Sequence, residues 1–454
     1  MGYGYEKNSF GSRLFEFWES YEESGICRLQ NRTGCSENKG GQLVLPEKDI
    51  VVGLDIGTSR VSALIAEYND AGELCFAGAG SVPSDGLRKG VVVNIEAAQK
   101  AIADAIEAAE QEAGRTVHDV YTAVTSGNVE GLNSRGVVAV SGKGREVTVQ
   151  DIRRVIEAAK AIAVPMDREI LHVVPQHFMV DDKVGIRDPL DMIGVRLEAD
   201  VHIITGSIAA TQNVIKCTNR SGYKVNEISL ESLVASQNIL SDDEKELGVL
   251  YLDIGGGTSD AIVYFEGTPH FSGSLPVAGE QVTTDLSIVL EQPMDQAEAI
   301  KLNQGKCWEP LVDPSQEVLL PGIGGRPPRS IPEVDVCRII QSRMAEILLL
   351  IRKQLHQKGY LNRLGGGVVI AGGGALLPGA GELASDIFRR PVRIAMPSGL
   401  KDLPGHCRGP EWSTVVGLVM AAKSEENSLG NDSEIIGGAW GFWERLKEWF
   451  ANFI

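Results

Sequence analysis

The stretch "VGLDIGTSRVSALIAE" (Val52–Glu67) is echoed 198 positions later by "LYLDIGGGTSDAIVYF" (Leu250–Phe265). In each copy a β-branched, apolar run ends at Asp-Ile-Gly, small residues follow, and a second apolar run begins. The pattern predicts two β-hairpins with glycine at their tips. Glycine there lets main-chain N–H groups come close to a ligand. Thr and Ser add hydroxyl donors, and a turn crowded with N–H and O–H groups suits phosphate oxygens. An aspartate beside such a turn suits a hydrated Mg²⁺, which keeps most of its waters and bridges to phosphates. Either copy alone is an ordinary hairpin. Two copies, one in each half, predict two similar domains facing each other across a cleft, with a phosphate chain clamped between them. No GxxxxGK[ST] is present, so a P-loop is not expected.

A third element fits the same site. "VVIAGGGALLPG" (Val368–Gly379) reads as a buried strand running into three glycines and then a helix, which places a helix N-terminus near a ligand. The plainer reading is a tight strand-to-helix turn.

The rest of the chain bounds the possibilities. Its 454 residues suggest two to four domains, and 43% hydrophobic with 23% charged residues is ordinary for a globular protein. No run of about 18 apolar residues predicts a spanning helix, and the first residues do not read as a secretory signal. Seven scattered cysteines without CxxC suggest reduced thiols used as small core residues, and no Cys/His cluster suggests a metal. A net charge of −18 argues against nucleic acid, whose phosphates need a basic footprint.

From Ile50 strand-like and helical runs alternate. In "NIEAAQKAIADAIEAAEQEAG" Ile95, Ala98, Ile102, Ile106 and Ala109 recur at helical spacing and Gly114 supplies a stop. Further helices are expected in "VQDIRRVIEAAKAIAV", "TGSIAATQNVIKCTNRSGYKV" (stopped at Gly222), "ESLVASQNIL", "GEQVTTDLSIVLEQ" and "CRIIQSRMAEILLLIRKQLHQKG". Interleaving of this kind predicts α/β layers with sheets covered on both faces. Residues 1–48 differ in texture: "GSRLFEFWESYEES" (Gly11–Ser24) has Leu14, Phe17, Trp18 and Tyr21 at helical spacing, followed by a polar, Gly-rich stretch. The choices there are a poorly ordered extension or a short contact helix. Residues 423–438 read as a polar linker.

The chain ends on "AWGFWERLKEWFANFI". At 100° per residue, Phe442, Trp443, Leu446, Trp449, Phe450, Phe453 and Ile454 fall in an arc about 140° wide, with Glu444, Arg445, Lys447, Glu448 and Asn452 opposite. With Trp440 beside it, this predicts a helix lying in a membrane interface, too short and too charged to span. Packing on its own domain or on a partner is the other reading.

A first "LDIGT", a second "LDIGGGTSD" and a late "AGGGALLPG", in this order, resemble the actin/Hsp70/sugar-kinase ATPase superfamily. Within it "LHVVPQHFMVD" (Leu171–Asp181), "VHIIT" (Val201–Thr205), "DDEKELGVLYLDIGGGTSD" (Asp242–Asp260), "DQAEAIKLNQG" (Asp295–Gly305) and "GGRPPRS" (Gly324–Ser330) resemble the bacterial cell-division FtsA family, as does the terminal helix. The resemblance runs from about Glu47 to Ile454 and does not cover the first residues.

It implies an α/β, actin-like two-domain ATPase fold with an interdomain nucleotide cleft, an FtsA-type inserted subdomain and a C-terminal amphipathic helix. The implied divisions are a first domain at 49–125 and 205–246, an insert at 126–204, a second domain at 247–283 and 346–422, and a smaller lobe at 284–345. A flexible linker at 423–436 and a membrane-targeting helix at 437–454 follow. The implied cofactors are ATP and Mg²⁺, the latter held through water by Asp55 and Asp253. Asp55, Gly57, Thr58 and Ser59 form the first phosphate loop; Asp253, Gly255, Gly256, Gly257 and Thr258 form the second. Gly372, Gly373 and Gly374 border the adenosine, and Lys301 with Glu298 meets ribose and base. Glu231 falls where the superfamily orients the attacking water; alternatively it is a surface residue favoured by a helix dipole. With that single candidate, hydrolysis is expected to be slow or undetectable.

The implied partners are the C-terminal tail of FtsZ on the smaller lobe (Arg326 and Arg329 as basic candidates, or else parts of a structural hairpin), other copies of the chain, other division proteins and membrane lipids, but no nucleic acid. The implied location is the inner face of the bacterial membrane at the division site. Rival readings are a sugar or acid kinase and a pilus-assembly actin-like ATPase; the terminal helix and "GGRPPRS" argue against both.

Overall fold

The computed structural model describes residues 50–124, 129–322, 324–325 and 327–429. The expected N-terminal helix, Arg326 and the terminal amphipathic helix lie outside the described residues.

The chain opens with β1 (Ile50–Ile56), β2 (Arg60–Tyr68) and β3 (Leu74–Pro83). A short pair, β4 (Leu87–Arg88) and β5 (Val91–Val92), precedes α1 (Ile95–Ala113) and β6 (Asp119–Val124). α1 starts where the Asn94 side chain accepts the Ala97 N–H and stops at Gly114, whose φ of 63° is left-handed. Ala98, Ile102, Ile106 and Ala109 form its buried stripe, as the spacing predicts.

The next segment contains β7 (Glu130–Ala139), α2 (Val149–Lys160), β8 (Arg168–Val180), β9 (Lys183–Ile186) and β10 (Arg196–Ser207). α2 begins in a capping box: Thr148 Oγ1 accepts the Asp151 N–H at 3.2 Å, and the Asp151 carboxylate accepts the Thr148 N–H at 3.0 Å. Thr148→Ala is expected to cost about 1 kcal/mol, read as a lower urea midpoint with an unchanged slope.

The chain returns through α3 (Ile208–Arg220), β11 (Lys224–Leu230), α4 (Glu231–Ile239) and α5 (Asp242–Leu247). β12 (Val249–Ile254), β13 (Ser259–Phe265) and β14 (Thr268–Leu275) follow, then α6 (Gly279–Leu290), α7 (Met294–Gln304), β15 (Glu317–Leu320) and β16 (Arg329–Pro332). The long α8 (Glu333–Gln357), β17 (Gly367–Ala371), α9 (Ala380–Phe388), β18 (Val392–Ile394) and α10 (Ser413–Leu429) complete the described fold. α10 thus runs through residues 423–429, which had been read as linker; the helix begun by the apolar run before Ala422 carries on into the polar stretch.

Two large sheets organise these elements. One has the order β11-β6-β1-β2-β3 and the other β18-β17-β12-β13-β14-β7-β10-β8-β9. α1 covers one face of the first sheet through Ile102, Ala105 and Ile106, while α10 covers the other through Val415, Val416 and Val419. The second sheet is covered on one face by α6, α8 and α9, and on the other by α4 through Leu233 and Ala235. α4 and α10 cross tightly: a Cβ at Gly417 would lie 2.6 Å from the Val234 carbonyl. The expected double covering is therefore present in the first sheet and in the β17-β12-β13-β14 part of the second, whereas β7, β10 and β8 carry α2 on one face and leave Asn133, Arg135 and Arg196 exposed on the other.

The strands of residues 130–207 join the second sheet where β14 meets β7 at Gly273 and Glu130. A polar seam reinforces this joint. His202 is fully buried; its Nδ1 lies 2.6 Å from Asn133 Oδ1 and its Nε2 2.8 Å from Ser272 Oγ. Asn133 Nδ2 donates to the His270 carbonyl, and Gln176 Nε2 donates to the Pro269 carbonyl. Burial, with the His270 charge adding to it, lowers the His202 pKa to about 3, so the ring is neutral. A neutral ring satisfies both partners when Nδ1–H donates to Asn133 and Nε2 accepts the Ser272 hydroxyl.

Among the described residues no helix is long and apolar enough to cross a membrane, and the cysteines at 75, 217, 307, 337 and 407 are free thiols.

Candidate functional site

Both repeated phrases are antiparallel hairpins. In the first, Asp55 pairs with Ser62 and Ile56 with Val61; in the second, Asp253 pairs with Asp260 and Ile254 with Ser259. Each turn is closed by its first glycine, with Gly57 N–H donating to the Arg60 carbonyl at 3.0 Å and Gly255 N–H to the Thr258 carbonyl at 2.9 Å. The N–H groups of Thr58, Ser59, Gly256 and Gly257 donate to no main-chain acceptor among the described residues.

The two tips meet. A Cβ at Gly256 would lie 2.7 Å from Ser59 Oγ, and one at Gly257 2.5 Å from Thr58 Oγ1. Any side chain at either glycine would force the hairpins apart. The second tip is also fixed to α6, because the Gly279 and Glu280 N–H groups donate to the Gly255 and Gly256 carbonyls at 3.1 and 2.7 Å.

Behind the tips lie four carboxyl groups. Asp55 is half-buried, whereas Asp253, Asp260 and Glu231 are 4%, 4% and 9% exposed. Burial raises the Asp55 pKa to about 6 and that of Asp260 to about 6. Burial, then the charges of Asp260 and Asp55, push Asp253 up to about 8. Glu231 is raised well above the carboxylate range by burial and then by all three aspartates. Its Oε1 accepts the Thr414 hydroxyl of α10 at 3.0 Å, and its Oε2 is buried with no hydrogen-bond partner. The reading of Glu231 as a surface residue is thereby corrected. α4 begins at the cleft end of β11 and lies under α10, which turns its first side chain inward.

Among the described residues no three Asp, Glu, His or Cys side chains are arranged to ligate a metal directly. What Asp55 and Asp253 offer is ionisable oxygen among mutually repelling carboxyls, offset only at Asp55 by the Arg60 charge, which fits a divalent cation held through water. A cation there would return the carboxyls to their ionised form.

The remaining candidates divide. Lys301 is 9% exposed; its ammonium is 2.7 Å from Glu298 Oε2 and donates to Thr283 Oγ1 at 2.8 Å and to the Gly279 carbonyl at 3.2 Å. Lys301 and Glu298 are thus brought to the α6 end that holds the second tip. A Cβ on Gly372 would collide with Asp253 Oδ1 at 2.2 Å, Gly374 packs on Ile254, and Gly373 faces open space. The three glycines do not lead straight into an α-helix, as had been expected. They form a 3₁₀ turn (Gly373–Leu376), and α9 starts at Ala380 with Gly379 against Trp308. Arg329 is not gathered into the cleft; it is exposed on the β15–β16 hairpin, and its guanidinium donates to the Leu290 carbonyl at 3.0 Å.

Asp260, Thr414 and the β4–β5 tip were not singled out from sequence. Asp260 was legible in principle, because a hairpin closed by Ile254 and Ser259 must set residue 260 opposite 253. The other two reach the site only through tertiary packing.

Comparison with known proteins decides the family. Chains called cell division protein FtsA are 41% identical over 408 residues in Borreliella burgdorferi (89% of this chain, 99% of that one) and 39% identical in Pseudomonas aeruginosa (88% and 97%). The chain belongs to the FtsA family of cell-division proteins. The Escherichia coli FtsA is 35% identical (89% and 98%). The family model "Cell division protein FtsA" matches residues 250–417, and "SHS2 domain inserted in FTSA" matches 126–205.

The fold is also shared outside FtsA. A PilM-PilN type IV pilus biogenesis complex superposes with a TM-score of 0.60 at 16% identity (82% and 97% covered). MreB5 of Spiroplasma citri, in a structure bound to ADP, gives 0.52 at 18% identity (85% and 100%). Those similarities establish an actin-like fold and no more. The whole-length FtsA identity separates this chain from the pilus-assembly and kinase readings.

Proposed function

We propose that this FtsA-family chain binds Mg·ATP between its two hairpins and, in that state, self-assembles and ties the FtsZ ring to the inner face of the cytoplasmic membrane. The observation that carries the nucleotide part is the meeting of two glycine tips whose N–H groups donate to no main-chain acceptor among the described residues, beside a cluster of buried carboxyls. Gly57, Thr58 and Ser59 would donate to phosphate oxygens from one side, and Gly255, Gly256, Gly257 and Thr258 from the other. Asp55 and Asp253 would hold the hydrated cation. Gly372, Gly373 and Gly374 would border the adenosine, with Lys301 and Glu298 toward its ribose and base. Mg²⁺ supplies charge neutralisation of the phosphates when bound.

Glu231 would orient a water through its unpartnered Oε2 while Thr414 holds Oε1. With one carboxylate alone in that role, turnover is expected to be slow. Binding energy then goes into closing the lobes, and closure biases assembly.

The FtsZ tail would dock on the smaller lobe, 284–345. Ile288, Val289, Leu302 and Leu319 are all more than half exposed there, and Leu319 lies on the strand paired with that of Arg329. Membrane contact would come from Trp440, Phe442, Trp443, Leu446, Trp449, Phe450, Phe453 and Ile454, which resemble an interfacial helix by pattern alone.

The test is co-sedimentation of purified FtsZ with liposomes. FtsZ should pellet with the full chain and ATP, and should stay in solution when residues 437–454 are removed. Equal pelleting without that segment would refute the tether.

A further inference from the structure

The tip of the β4–β5 hairpin, Lys89-Gly90, joins the two glycine tips as a third converging loop. Leu87 pairs with Val92 and Arg88 with Val91, leaving Lys89 and Gly90 as a two-residue turn with φ of 51° and 74°. Positive φ at both central residues is the type I′ turn, which favours Asn-Gly or Gly-Gly. A lysine in the first position bears backbone strain that glycine or asparagine would avoid, and such strain tends to be kept where function needs the side chain.

The turn touches both hairpins. Gly90 N–H donates to Thr58 Oγ1 at 3.0 Å, which leaves the Thr58 proton free for another acceptor. A Cβ at Gly257 would lie 2.9 Å from the Lys89 Cα. The Lys89 main chain therefore sits against the second tip and is bonded, through Gly90, to the first.

Charge gives the side chain a purpose. The cleft holds Asp55, Glu231, Asp253 and Asp260, and a nucleoside triphosphate would add more negative charge. Two other cations near the cleft are already engaged: Lys301 pairs with Glu298, and the Arg60 guanidinium lies 5.0 Å from the Trp412 ring centroid. Lys89 is exposed and enters no ion pair among the described residues. Its flexible four-carbon stem lets the ammonium swing toward the tips.

We infer that Lys89 is the residue that reads the length of the phosphate chain, its ammonium contacting the β- or γ-phosphate oxygens of a nucleotide held between the hairpins. The inference rests on the nucleotide reading above and adds a triphosphate-over-monophosphate preference carried by one side chain.

Calorimetry on the full chain with ATP, ADP and AMP, all with Mg²⁺, tests it. Lys89→Gly removes the charge at a position whose φ glycine accepts freely, so the unliganded protein should unfold at the wild-type temperature or slightly above. ATP affinity should fall at least tenfold in Lys89→Gly, AMP affinity less than twofold, and Lys89→Arg should recover most of the loss. Arg88→Ala, a neighbouring cation on the strand, should change ATP affinity less than twofold. If the wild type binds ATP and Lys89→Gly binds it equally well, the inference is wrong and the nucleotide reading stands. Equal losses for ATP and AMP, or an equal loss in Arg88→Ala, would likewise overturn it as a general structural or field effect. A wild type that binds no nucleotide would remove both.

Discussion

Asp253→Ala should weaken Mg²⁺-dependent ATP binding at least tenfold, about 1.4 kcal/mol. Asp253 is 4% exposed, faces Asp260 across the second hairpin, and is packed against Gly372. Like charges set directly opposite repel, and burial adds to the penalty for ionising either one. The protonated form is therefore favoured until a cation enters, and the carboxylate that would hold the cation is the one removed. Unchanged ATP affinity in Asp253→Ala would refute the clamp between the hairpins.

The same residue predicts a pH dependence whose sign follows from its raised pKa. Asp253 goes from an ordinary 3.8 to about 8 in the folded chain. Between those values the folded protein keeps a proton that the unfolded chain has lost. Stability of the nucleotide-free protein should thus fall as pH rises from about 4 to about 8, with a slope of at most about 1.4 kcal/mol per pH unit from this group. Asp253→Asn, neutral and of similar shape, should flatten the slope and raise the melting temperature at pH 8. A slope as steep in Asp253→Asn as in the wild type would assign the proton to other groups.

The second large effect concerns the last residues. Trp443→Glu combined with Phe450→Glu should lower liposome binding roughly hundredfold while leaving ATP binding intact. On a helical wheel both residues fall inside the apolar arc, where each large apolar group is worth about 1.5–3 kcal/mol when fully buried and part of that at an interface. A carboxylate carried into the headgroup–acyl boundary reverses the gain. Glu444 and Glu448 offset Arg445 and Lys447, so raising salt should barely alter wild-type binding. Detachment in high salt would mean the attachment is electrostatic. Retention of the double variant on liposomes would move suspicion to "RLFEFWESY" (Arg13–Tyr21).

The duplicated Asp-Ile-Gly phrase implies two hairpins and a shared ligand, because alternating burial and small tip residues are local properties of the chain. The stripe from Ala98 to Ala109 and the stop at Gly114 describe α1 for the same reason. Local patterns fail where a neighbour far along the chain decides. Glu231 opens a helix and resembles a dipole-favoured surface residue until α10, more than 180 residues later, covers it. The polar stretch after Ala422 resembles a linker until it is seen to extend the helix before it.

By itself, the sequence determined most of the strands and helices, that two like hairpins carry glycine tips, and which family the chain resembles. All of these depend on periodicity, turn chemistry and motif order. Only the tertiary structure decided that Asp55, Glu231, Asp253 and Asp260 share one pocket, that Lys89 reaches the two tips, and that β7 extends the second sheet through β14 with His202 buried in the seam. Periodicity says that a face is buried but not against what. The pKa of a carboxyl or a histidine is set by the groups that burial brings to it from elsewhere in the chain.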